Sequence, residues 1–130
     1  MKREFSLAAE FPATPEAVFR AWLSSKGHSG MTGSTAKVEP RVGGKFTAWD
    51  GYITGKTLEL KPYSRIVQAW RTSEFADTDP DSKIDLKLEA VKGGTRLTLS
   101  HSGIPEGQAE SYESGWEESY FAPMREYFAK

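Results

Sequence analysis

The segment SGWEESYFAPMREYF, residues 114–128, sets one Trp, two Tyr, two Phe and a Met around a proline. Stepping about 100° per residue from Trp116 gathers Ala109, Tyr112, Trp116, Tyr120, Pro123, Met124 and Tyr127 into a stripe about 120° wide. Ser114, Glu118 and Arg125 fall opposite, and Phe121 and Phe128 flank the stripe. Such a face predicts a helix over about residues 106–129 that must be buried against something broad. Pro123 should bend it, because a proline leaves the Ser119 carbonyl without its usual donor.

The rest of the chain supplies strands to cover. In REFSLAAEF, Phe5, Leu7, Ala9 and Phe11 alternate with Glu4, Ser6, Ala8 and Glu10, the pattern of a half-buried strand. ATPEAVFRAWLSS reads as a helix over about 14–24, with Thr14 as N-cap, Pro15 at the first position, Val18, Phe19 and Trp22 inward, and Gly27 ending it. HSGMTGS reads as a turn or a single helical turn. Beyond it come hairpins: TAKVEP with KFTAW, YITGKTLELK with RIVQAWRTSEF, and SKIDLKLEAV with TRLTLSH across Gly93-Gly94. The order is strand, helix, about six antiparallel strands, long helix. An antiparallel sheet needs a cover for its apolar face. The expected fold is therefore α+β, a helix-grip arrangement in which a curved antiparallel sheet of six to seven strands wraps a long C-terminal helix. Residues 1–130 read as one domain.

Charge narrows the function classes. With 17 basic and 18 acidic side chains the formal charge is −1, so a nucleic-acid partner is not expected, nor a membrane span. The absence of cysteine and of an N-terminal apolar run fits a cytoplasmic protein. KGHSGMTGS lacks the Gly-Lys-Ser/Thr ending of a phosphate loop, and no G-x-S-x-G elbow occurs. His28 and His101 are the only histidines and have no metal-ligand spacing. DTDPDS lacks the Gly and distal Glu of a calcium loop and reads as a polar turn. No metal and no cofactor is expected.

Several inward positions carry polar chemistry. His101 shares parity with Leu97 and Leu99 and reads first as a core-edge histidine bonded to a backbone carbonyl, alternatively as a polar contact inside a cavity. Gln68 shares a face with Ile66 and Trp70, and buried it needs partners, of which a ligand could be one. Arg71, on the opposite parity, should be solvated or paired with an acid. Laid over the strands, the aromatic stripe gives the ligand-cavity candidates Gln68, Trp70, Leu86, Leu99, His101, Tyr112, Trp116, Tyr120 and Met124. Rigid rings interdigitate poorly over a curved sheet, so a void beneath Trp116 is expected.

The run GGKFTAWDGYITGKTLELKPYSRIVQAWR, followed by GTRLTL, SGIP and GWEESYFAPMREYF, resembles the C-terminal domain of the activator of heat-shock protein 90 ATPase and its stand-alone relatives in the START and Bet v 1-like superfamily. The ordered set Gly43-Gly44, Gly55, Pro62, Trp70-Arg71, Gly94-Thr95, Gly103-Ile104-Pro105 and Gly115-Trp116 carries that resemblance over nearly the whole chain. It implies the same helix-grip fold. It also implies non-catalytic binding of a small apolar molecule, in a stress-related role, by a monomer or weak homodimer. The alternatives are an interaction module acting on the chaperone's ATPase, and an enzyme using the cavity. In two-domain activators a separate N-terminal domain makes the principal chaperone contact, and this chain is expected to lack it.

Overall fold

The computed structural model describes residues 3–130. Among them one antiparallel sheet holds seven strands: β1 (Phe5–Phe11), β2 (Lys37–Val38), β3 (Lys45–Ala48), β4 (Ile53–Lys61), β5 (Arg65–Thr72), β6 (Ser82–Val91) and β7 (Gly94–Ser102). Their spatial order is β1-β7-β6-β5-β4-β3-β2. Two short helices, α1 (Pro15–Trp22) and α2 (Ser25–Thr32), carry the chain from one sheet edge to the other. The C-terminal helix runs as α3 (Ala109–Trp116), a π-helical turn (Glu117–Phe121) and α4 (Ala122–Phe128), and packs against β1 and α2. This is the α+β helix-grip fold expected from the pattern.

Alternation does most of the work in the sheet. Ile84, Leu86 and Leu88 of β6 are buried beside Leu97, Leu99 and His101 of β7, with Leu86 opposite Leu99 and Ile84 opposite His101. The connecting turn is Lys92-Gly93 rather than Gly93-Gly94, since Val91 already pairs with Gly94. Gly93 takes the left-handed conformation (φ 85°) that such a turn needs. Gly94 is required by space instead: a Cβ there would lie 1.9 Å from the Phe11 carbonyl oxygen. In β4 the register slips between Thr57 and Glu59, so Leu58 is unopposed and exposed, a bulge that bends the sheet.

Thr14 caps α1, accepting the Ala17 N–H at 3.1 Å, with Pro15 first in the helix. Two local expectations are corrected here. HSGMTGS belongs to a full helix, α2, capped by Ser24, which accepts the Gly27 N–H at 3.0 Å. Gly27 therefore does not end α1. It sits inside α2 because a Cβ there would come within 2.8 Å of the Ala21 Cα and carbonyl oxygen.

Pro123 acts through a π turn. The Ala122 N–H reaches back five residues to the Glu117 carbonyl. A widened turn gives the proline ring room that a regular α-turn would deny it. It also brings adjacent Tyr120 and Phe121 to the buried side, although Phe121 falls outside the ideal helical stripe. Between helix and sheet the centre is filled by Trp22 of α1, whose ring lies 6.2 Å from that of Trp116 and 5.1 Å from that of Tyr120.

Candidate functional site

A cleft of about 350 Å³ opens along one flank of the C-terminal helix, open in part to solvent. Ile53 of β4 and Trp70 of β5 form its floor, Trp49 and Tyr52 of the β3–β4 turn one wall. The helix supplies the roof with Tyr112, Trp116 and Tyr120, spaced by Ser111, Gly115 and Ser119. Those three small residues recur at i, i+4 and i+8, so they share one helical face. No atom other than the helix's own backbone and its chain neighbours lies within 4 Å of where a Gly115 Cβ would be. A glycine inside a helix costs about 1 kcal/mol relative to alanine. Packing does not demand it at 115, and its effect is to keep the roof open.

The wall is a strained turn. Trp49 and Asp50 have φ of 52° and 56°, left-handed values that cost non-glycine residues about 1–2 kcal/mol each. The Asp50 N–H donates to the Thr35 carbonyl at 2.9 Å, and the Ser73 N–H donates to that of Tyr52 at 3.0 Å, which fixes the turn at both ends. The Trp49 indole N–H is buried without a hydrogen-bond partner. Strain and an unpaired donor together are features that binding sites retain.

At the mouth, the Tyr52 hydroxyl donates to the Glu74 carboxylate. Burial and that carboxylate push the Tyr52 phenol up to about 12. The Tyr112 hydroxyl donates to Gln108 Oε1 at 2.6 Å and accepts from Thr72 Oγ1 at 2.7 Å, while Gln108 Nε2 donates to the Glu74 carbonyl at 3.1 Å. Inside, rings pack edge to face or tilted: Trp70 against Tyr112 at 5.1 Å, Trp70 against Trp116 at 5.6 Å, Trp116 against Tyr120 at 4.8 Å.

Four of the nine cavity candidates, Trp70, Tyr112, Trp116 and Tyr120, line this cleft. The other five lie in the packed interior behind it. Leu86, Leu99 and Met124 are core. Gln68 accepts the Trp22 indole N–H and donates to Thr57 Oγ1, both at 3.1 Å, so each end of its amide is satisfied. His101 is 1 % exposed. Its Nδ1 accepts the Trp116 indole N–H at 3.1 Å. Its Nε2–H donates to Ser82 Oγ at 2.8 Å, and that hydroxyl donates onward to the Trp70 carbonyl at 2.8 Å. The partners are thus two side chains rather than the expected backbone carbonyl. Burial lowers the His101 imidazole to about 3, leaving it neutral. His28 is similar: Nδ1–H donates to the Trp22 carbonyl at 2.9 Å, Nε2 accepts from Tyr120 at 2.7 Å, and burial lowers it. Arg71 pairs with Asp81 at 2.8 Å and also bonds the Ala76 and Asp79 carbonyls, which ties down the polar DTDPDS loop.

The sequence reading missed Trp49 and Tyr52 as lining residues: it put them at the ends of the strands KFTAW and YITGKTLELK, whereas β3 stops at Ala48 and β4 starts at Ile53, which leaves both in the turn between. It also missed Ser111 and Ser119, although the small-residue spacing was available on the helix. The void lies to the side of Trp116 rather than over the sheet centre, because Trp22 occupies that centre.

Comparison with known proteins fits this architecture. Residues 12–129 match the family described as Activator of Hsp90 ATPase homolog 1-like protein. The chain belongs to that family. The human Activator of 90 kDa heat shock protein ATPase homolog 1 is 28% identical over 125 residues, 96% of this chain and 37% of that protein. The chain thus spans little more than a third of such curated relatives. Among solved structures, an HSP90 activator from Plasmodium falciparum superposes with TM-score 0.83 at 28% identity, covering 93% of this chain and 91% of that one. A protein from Chromobacterium violaceum superposes with TM-score 0.80 at 26% identity, covering 100% and 99%. No helix among the described residues is long and apolar enough to cross a membrane.

Proposed function

We propose that this AHSA1-type domain binds a small apolar molecule in the cleft beside Trp116, holding it without chemistry. The supporting observation is one cleft of about 350 Å³ in which six of the lining residues are aromatic. That volume lies within the roughly 300–1,000 Å³ range of small-molecule sites, which are apolar with a few polar groups. Here those groups are the serine hydroxyls and the Tyr52–Glu74 end. Fluorescence titration with Nile red, a neutral environment-sensitive dye, tests the reading against Gly115→Phe. The new ring has open space to enter and should fill the cleft, weakening dye binding at least about tenfold. Equal affinity in both proteins, or no binding by the native chain, would remove the proposal.

A second reading rests on the relatives, several of which are activators of the heat-shock protein 90 ATPase. On it, the domain contacts the chaperone and the cleft is incidental. With the chaperone at stoichiometric ratio, this chain alone is expected to leave the ATPase rate unchanged. A several-fold rise would put the second reading first.

A further inference from the structure

The helix that roofs the cleft carries charge of one sign. From Ala109 to Phe121 its charged side chains are Glu110, Glu113, Glu117 and Glu118, of which Glu113 and Glu117 already have partners, and it has no Lys or Arg. The first cation further along is Arg125, and Glu117 holds its guanidinium through two bonds, at 2.8 and 3.1 Å. At the mouth stands Glu74, whose carboxylate takes the hydroxyl of the lining Tyr52, and Asp50 is exposed in the turn between the lining residues Trp49 and Tyr52. Glu74 has no ion-pair partner among the described residues, and no Lys or Arg lines the cleft. The interior meanwhile is built from aromatic rings, whose faces carry the negative part of the ring quadrupole.

Both features discriminate in the same sense. A cation entering gains from ring faces within and from the Glu74 carboxylate at the mouth. An anion of the same size loses on both counts, and no basic side chain in the lining compensates it. We infer that the cleft's occupant is an organic cation, a protonated or quaternary nitrogen on a flat apolar body, and that the cleft rejects carboxylates such as fatty acids. The nitrogen belongs at the Tyr52–Glu74 end, with the apolar part against Trp70 and Trp116. This rests on the ligand-binding reading above, so the two must fail separately.

Displacement of bound Nile red by ring compounds of matched size separates them. N-methylquinolinium serves as cation, quinoline as the neutral form at neutral pH, and naphthoate as anion. The cation should displace the dye at about tenfold lower concentration than the anion, with quinoline between. Raising the salt should narrow the ratio by screening the rim. The double variant Glu74→Gln, Glu118→Gln should narrow it too, each competitor being referred to the Nile red affinity of that same variant. If the dye binds normally but naphthoate competes as well as the cation, the inference is wrong and the ligand-binding reading stands. If folded protein binds no dye, both are overturned.

Discussion

At the scale of single residues, His101 is a potential acid–base group whose surroundings remove that chemistry. Both ring nitrogens are engaged and the imidazole stays neutral down to about pH 3. In the unfolded chain it would titrate at 6.5. Between these values the unfolded state binds the extra proton, so stability rises with pH through the window from about 3 to 6.5 and then levels off for this group. His28, also lowered by burial, acts in the same direction. His101 can contribute a slope of up to about 1.4 kcal/mol per pH unit near the middle of its window, roughly pH 5. Replacing His101→Asn should lower stability at pH 8 by loss of its contacts, yet flatten the slope near pH 5 by about that amount. Denaturant unfolding at a series of pH values reads both effects, and an undiminished slope would mean that His101 is charged in the fold. Strand parity made the inward direction of His101 and Gln68 legible. Parity does not say which inward groups find protein partners, because those partners (Trp116, Ser82, Trp22 and Thr57) lie far away in sequence.

At the scale of elements, two helical glycines should respond oppositely to the same substitution. Gly27 lies where α2 crosses the end of α1, with Ala21 backbone in the way of any Cβ. Gly27→Ala should cost about 1–3 kcal/mol by forcing the two helices apart. Gly115 faces the cleft and meets nothing, so Gly115→Ala should stabilise by up to about 1 kcal/mol through helix propensity. Urea midpoints moving in the same direction for both variants would contradict this placement. Strands and the long helix were legible because their periods differ so clearly. Helix α2 was not, because SKGHSGMT has weak helix propensity and owes its form to the Ser24 cap and to burial of His28 and Met31. Nor was the π turn, where the sequence shows a proline that should bend the helix but not how the backbone relieves it.

At the scale of the molecule, the bulge at Leu58 bends the sheet, the π turn shapes the helix laid against it, and Trp22 plugs the centre of the layer between them. What remains open is a flank, walled by the strained Trp49–Tyr52 turn and kept clear by Ser111, Gly115 and Ser119. The fold could be read from hydrophobic pattern. The location of the void could not, since it depends on where one α1 side chain comes to rest. The four tryptophans divide accordingly: Trp49, Trp70 and Trp116 line the cleft, and Trp22 is sealed behind it. Their indole N–H resonances, followed by NMR during titration with quinoline, test the ligand site directly. The account predicts saturable shifts at Trp49, Trp70 and Trp116, little change at Trp22, and loss of the response in Gly115→Phe. Indole signals that stay in place up to saturating quinoline, or shift alike in the native and Gly115→Phe proteins, would contradict it.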